Sequence, residues 1–234
     1  MSEHPVFHWL GRVEYARAWA LQAALVERRK RGATGDTVLL LEHPHVVTLG
    51  RRGRMDDVLL DAEGLASAGI AVHEADRGGE VTYHGPGQLV GYPIMVIRAL
   101  GGPVRYVRAL EAALIAALAG FGVEGRRHEG MPGAWVGERK IAAIGLRVSR
   151  GVSSHGFALN VSTDLAYFGH IVACGVPHLP VTSLEREIGT RVDGERVRMA
   201  VAEALAHHLR LPLAWGDADA ETLLANTGAG AARA

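Results

Sequence analysis

The chain has 234 residues, and its 25 Lys and Arg balance 25 Asp and Glu to a formal charge of zero. At 48% apolar and 21% charged residues it is too apolar for a disordered chain, and the balanced charge argues against nucleic acid as the main partner. No run approaches the roughly 18 apolar residues of a membrane span, and Met1 to Pro5 carries no basic start with an apolar stretch, so neither a membrane segment nor a secretory signal is expected.

Arg12 to Lys30 places Val13, Ala16, Ala20, Ala24 and Leu25 on one helical face, with Gly32 and Gly35 as the stop. Thr37 to Leu41 and Val46 to Leu49 are short apolar runs with the character of buried strands. After the polar Arg51 to Asp57, a short helix is expected at Ala62 to Ala68 and a sheet edge at Ile70 to His73. Glu80 to His84 and Gln88 to Ile97 are strands on either side of the turn Gly85-Pro86-Gly87. Gly101-Gly102-Pro103 opens a helix whose face is Val104, Val107, Leu110, Leu114 and Leu118, ending at Gly120. Trp135 to Val136 and Lys140 to Val148 form a hairpin across Gly137-Glu138, and Phe157 to Val161 is a further strand. Thr182 and Glu185 have capping-box spacing for a short helix. Asp193 caps a long one with Val197, Val201, Ala204, Leu205 and Leu209 inward. With no repeat and no linker, this predicts one α/β (α+β) domain over residues 1–216, with a mixed, largely antiparallel sheet flanked by helices. Residues 217–234 read as a loosely held Ala- and Gly-rich tail.

Cys174 is the single cysteine, which excludes an internal disulfide and every multi-cysteine zinc site and suits a reducing cytoplasm. The 12 histidines show no metal spacing: His43 and His45 flank Pro44, His207 and His208 are adjacent, no His-Glu-x-x-His occurs, and His4 and His8 read as surface residues. No metal site is therefore expected, and no cofactor is expected either. The densest unusual segment is Arg77-Gly-Gly-Glu-Val-Thr-Tyr-His84-Gly-Pro-Gly-Gln-Leu, whose paired glycines let backbone approach a ligand. A Gly-rich hairpin around a core histidine explains the same residues, and both readings stay open. Cys174 has the surroundings of a small buried hydrophobe, yet Gly175 and Pro177 place it on a turn that can aim a thiol into a cleft. Lys140 opens an apolar strand; there it is either a surface lysine or an interior one able to trade protons with a thiol.

Taken together, five stretches resemble the lipoyl(octanoyl) transferases of lipoate biosynthesis. They are Leu41-Glu-His-Pro with Thr48-Leu-Gly-Arg51; Arg77 to Leu89; Gly137-Glu-Arg-Lys-Ile-Ala-Ala-Ile-Gly-Leu-Arg147; His155-Gly-Phe-Ala-Leu-Asn160; and Cys174-Gly with Val181-Thr-Ser-Leu184. The resemblance implies the fold of the biotin and lipoate protein ligase catalytic domain. It also implies transfer of an octanoyl or lipoyl group from acyl carrier protein to a lysine of a lipoyl domain, through an acyl thioester on Cys174 tuned by Lys140. The implied substrate pocket is Arg77, Gly78, Gly79, Glu80, Val81, Thr82, Tyr83 and His84 with Ala143, Ile144, Gly145, Gly156, Phe157 and Ala158. Gly78, Gly79, Gly145 and Gly156 would let backbone line it, and His84 would shape the site or orient Lys140.

The implied acceptors are the lipoyl domains of 2-oxoacid dehydrogenase E2 subunits and the glycine cleavage H protein. Arg51, Arg52, Arg54, Arg147 and Arg150 are available to acidic partner surfaces or to solvent. A cytoplasmic monomer is the default expectation. The rival readings are an ATP-dependent lipoate or biotin ligase on the same scaffold, which has no use for Cys174, and a non-catalytic binding protein whose thiol senses oxidant.

Overall fold

The structure is a computed structural model and describes residues 6–227. In chain order it comprises Phe7–Arg12 (β1), Tyr15–Lys30 (α1), Thr37–Glu42 (β2), Val46–Leu49 (β3), Ala62–Ser67 (α2), Ala71–Glu74 (β4), Val81–His84 (β5) and Gln88–Ile94 (β6). Pro103–Ala119 (α3), Gly133–Val136 (β7), Arg139–Ser149 (β8), Val152–Asn160 (β9), Leu184–Ile188 (α4), Gly194–Leu209 (α5), Trp215–Gly216 (β10) and Ala220–Asn226 (α6) complete it. A large mixed sheet runs β10-β1-β2-β6-β9-β8-β7, and a small one runs β4-β3-β5.

In the large sheet, β1 lies parallel to β2 and β10, and β2, β6, β9, β8 and β7 alternate antiparallel. Alternation along β2 shows why its apolar run is unbroken. Val38 and Leu40 enter the core under α3 and α5, while Leu39 and Leu41 enter the core under α1. At the far end of the β8–β9 hairpin, Arg150 and Gly151 both take positive φ, which matches the twist of a two-residue turn. That closure starts β9 at Val152, five residues before the predicted Phe157.

Several expectations are corrected by long-range packing. β5 and β6 do not pair with one another; Gly85-Pro86-Gly87 carries the chain from the small sheet to the large one. α1 starts at Tyr15, after β1, and buries Tyr15, Ala18, Leu21, Gln22, Leu25 and Val26, leaving Ala16 and Ala20 exposed. Bulk sets the helix phase, because burial is worth about 0.8 kcal/mol per CH₂ and an alanine face offers little. By the same rule α3 turns Tyr106, Leu110 and Leu114 inward and leaves Val104 76% exposed. Ser183, rather than Thr182, caps α4 by accepting from Arg186 N at 3.4 Å; Thr182 is buried and donates to Glu187. His8, expected at the surface, is buried in β1, whereas His4 lies outside the described residues. Of the expected tail, Ala220–Asn226 forms α6, capped by Asp219 and docked through Leu223 and Leu224 on the core beneath α1. Residues 228–234 lie outside the described residues.

Candidate active site

A cavity of about 340 Å³ lies where the small sheet meets β6, β8 and β9. Thirteen of the fourteen expected pocket residues line it, together with Lys140 and Cys174. Tyr83 is the exception. It sits one position out of phase with Thr82 and His84 on β5, so it enters the opposite core, where its hydroxyl bonds His45 Nδ1 at 2.8 Å and its ring stacks on Tyr167.

Lys140 and Cys174 are 34 positions apart, and Lys140 Nζ donates to Cys174 Sγ at 3.4 Å. Two tethers bring them together. At its start, the segment carrying the cysteine bridges Ile171 to Val58 and hydrogen-bonds Val172 N to the Asp57 carbonyl at 2.7 Å. At its end it bridges Val181 to Lys140, where Lys140 N donates to Pro180 O at 2.8 Å and Thr182 N to Lys140 O at 3.0 Å. Lys140 is only 6% exposed, with its ammonium 5.4 Å from the centroid of the Trp135 ring, so it is an interior lysine. Cys174 is half-buried on the turn Ala173–Gly175 at φ 55, ψ 24, a left-handed conformation that costs a non-glycine residue about 1–2 kcal/mol. Strain of that kind persists where surrounding structure holds a side chain for use.

Part of the cavity lining is aromatic. Tyr15, Tyr92, His84 and His155 line it, and His43 lies behind Tyr92, bonded to its hydroxyl at 2.7 Å. Burial pushes His43 down to about 4 and His84 down to about 3, so both rings are neutral. His155 also falls to about 3, through burial and the Arg77 and Arg147 cations; its Nε2 meets Asp76 at 2.7 Å, but Arg147 shares that carboxylate. Burial lifts Tyr15 to about 12 and Tyr92 well above the ordinary phenol range. His84 does not orient Lys140 directly. Its Nδ1 faces Gln88 Oε1 at 2.7 Å, and Gln88 and Asn160 continue the chain of bonds to the Thr182 carbonyl.

Gly78 and Gly145 let backbone close against backbone at the cavity, since a Cβ on Gly145 would sit 3.1 Å from the Gly78 carbonyl. Gly156 serves the sheet instead, because its Cβ would fall 2.1 Å from the Gly91 carbonyl. One wall, Gly130 to Pro132, is held by the buried Glu111 of α3, which accepts from Gly133 N at 3.3 Å and pairs with Arg108 at 2.8 Å and Arg127 at 3.1 Å. Of the five arginines offered to partners, Arg52, Arg54, Arg147 and Arg150 are engaged with Glu80, Asp56, Asp76 and Glu27, respectively. Sequence reasoning missed Tyr15, Tyr92, Leu146, His155 and Val176 as cavity residues. Tyr15 was within reach, because a helical phase started from its ring finds the buried face.

Among the described residues, no group of three or more His, Cys, Asp or Glu side chains is placed to hold a metal ion, and no helix is long and apolar enough to cross a membrane. Comparisons with known proteins agree with one another. The octanoyltransferase of Solibacter usitatus is 54% identical over 189 residues, covering 80% of this chain and 85% of that protein. The octanoyltransferase of Acidobacterium capsulatum is 52% identical over 193 residues, covering 76% and 78%. The crystal structure of lipoate-protein ligase A bound with ATP superposes with a TM-score of 0.75 at 17% identity, covering 95% of this chain and 94% of that one, which shows a shared fold. A biotin protein ligase from Aquifex aeolicus gives 0.53 at 14% identity, covering 88% and 70%. Residues 14–206 match the model of the lipoyl protein ligase A/B catalytic domain, and the chain belongs to that family.

Proposed function

We propose that this octanoyltransferase of lipoate biosynthesis works through an acyl thioester on Cys174, taking the octanoyl group from acyl carrier protein and giving it to a lysine of a lipoyl domain. The observation that carries the mechanism is the Lys140–Cys174 contact of 3.4 Å at an acyl-sized cavity. Ligand sites run from about 300 Å³ upward, so the cavity suits one small acyl chain. At about 0.8 kcal/mol per buried CH₂, the hydrocarbon of an octanoyl group contributes roughly 5 kcal/mol of binding.

The donor is already a thioester, so its carbonyl is activated without ATP. Lys140 and Cys174 share one proton, and the thiolate is the nucleophile. It attacks the donor carbonyl, and the carrier thiol leaves with the proton that Lys140 held. Neutral Lys140 then takes a proton from the acceptor's ε-ammonium, which normally titrates near pKa 10.4. A positioned base of this kind is worth about 10²–10⁴-fold. The acceptors are lipoyl domains of 2-oxoacid dehydrogenase E2 subunits and of the glycine cleavage H protein.

Incubation with octanoyl-carrier protein and no ATP tests this by intact mass. One octanoyl group is expected on the wild type and none on Cys174→Ala. A mass gain that survives Cys174→Ala, or transfer that requires ATP, overturns the mechanism. Lys140→Arg keeps charge without a usable base and is expected to lose at least 100-fold in turnover; undiminished turnover removes the proton-transfer role.

A further inference from the structure

Arg77 lines the acyl cavity and is 8% exposed. Its guanidinium bonds only uncharged oxygens. Nε and Nη2 donate to Thr48 Oγ1 at 3.2 and 2.8 Å, Nη2 also to the Thr48 carbonyl at 2.6 Å, and Nη1 to the Gly78 carbonyl at 3.1 Å. None of the ion pairs among the described residues includes it. Glu80, the carboxylate whose field reaches it, is held by Arg52 at 2.8 Å. The other titratable groups of the cavity do not neutralise it either: His84 and His155 are neutral, and Tyr15 and Tyr92 keep their phenol protons.

A buried cation without a counter-charge is costly, and perturbed charged groups in a cleft cluster at functional sites. Cys174 lines the same cavity, and it is among the groups whose field reaches Arg77. We propose that Arg77 is the fixed positive charge of this site, holding the Cys174 sulfur as thiolate and steadying the oxyanion of both tetrahedral intermediates while Lys140 moves the proton. The proposal rests on the mechanism given above and assigns a catalytic role within it.

In the first half-reaction the sulfur lone pair forms a bond to the donor carbonyl carbon, and the carbonyl π pair moves onto oxygen. The oxyanion collapses, the bond to the carrier sulfur breaks, and the carrier thiolate takes a proton from the Lys140 ammonium. Lys140 is now uncharged. In the second half-reaction Lys140 removes one proton from the acceptor ammonium, the amine attacks the Cys174 thioester, and a second oxyanion collapses to expel the Cys174 thiolate. The remaining surplus N–H proton leaves to solvent. Negative charge thus forms beside a lysine whose own charge comes and goes, whereas a guanidinium stays protonated throughout. Fixed charge aimed at developing negative charge in a dry site needs no reorganisation at the moment of reaction.

The test needs no substrate. Cys174 is the single cysteine, so iodoacetamide alkylation followed by intact mass reads its thiolate directly as a function of pH. Arg77→Met is expected to move the midpoint of that profile up by about one pH unit, a tenfold loss of thiolate at neutral pH, and Arg77→Lys to retain most of the wild-type midpoint. If Arg77→Met does not fold, Arg77→Gln gives the same readout while offering Thr48 a neutral donor. A midpoint unmoved in the uncharged variant, or moved equally by Lys and Met, overturns the proposal. Failure of the wild type to transfer octanoate counts against the proposed function and leaves this titration readable.

Discussion

Acidifying the protein from pH 7 to pH 5 sets protons against two imidazoles that the fold holds neutral. His43 is fully buried between the Val13 carbonyl at 2.6 Å and the Tyr92 hydroxyl at 2.7 Å, and burial puts it at about 4. His84, against Gln88 and facing His43, is at about 3, chiefly through burial. Both titrate near 6.5 in the unfolded chain, so between the two values the unfolded state binds more protons. Stability is therefore full above about 6.5 and is lost as pH falls toward 3. Each pH unit below 6.5 costs roughly 1.4 kcal/mol per histidine, about 2 kcal/mol each at pH 5 and about 4 kcal/mol for the pair. For a chain of this size that lowers Tm by roughly 8–16 °C.

His45, His155 and His208 act in the same direction, whereas Glu27, Glu187 and Asp219, whose values lie below the usual carboxylate range, titrate under this window. Thermal unfolding followed by circular dichroism at pH 7, 6 and 5 measures the drop, and His84→Gln should flatten it by removing one of these titrations. A Tm that does not move between pH 7 and 5, or a variant that falls as steeply as the wild type, refutes the reasoning.

Gly156→Ala forces a Cβ to 2.1 Å from the Gly91 carbonyl and 2.7 Å from Pro93 Cδ, and should cost about 3 kcal/mol, read as a lower urea midpoint. Glu111→Ala leaves Gly133 N–H without its acceptor and releases the Gly130–Pro132 wall. Because Arg108 and Arg127 are half-exposed and can rehydrate, the stability loss should stay near 2 kcal/mol, with KM for the acyl donor rising more than kcat falls. Truncation after Asp217 removes α6 and uncovers the core beneath α1, lowering stability by roughly 2 kcal/mol while the cavity residues stay in place; calorimetry and donor acylation of Cys174 check the two halves separately.

The order of elements was legible because neighbouring residues decide it: apolar runs, glycine stops and the Asp193 cap are local signals, and the structure places strands and helices on them. The chemical types at the site were legible too, since a single thiol, a strand-opening lysine and the Arg77–Gln88 block stand out in any reading of the chain. What only the tertiary structure decided is contact across distance. Val181 bridging Lys140 carries the thiol to the amine, β5 and β6 separate into different sheets, and Tyr83 turns away while Tyr15 turns in. Charge balance is decided in the same way: Glu80 pairs with Arg52, 28 positions away in the chain, while none of the ion pairs among the described residues includes Arg77. Periodicity reports which face of an element is apolar, but which faces meet depends on strand pairing and on the volumes that fill the space between layers, and neither is a property of adjacent residues.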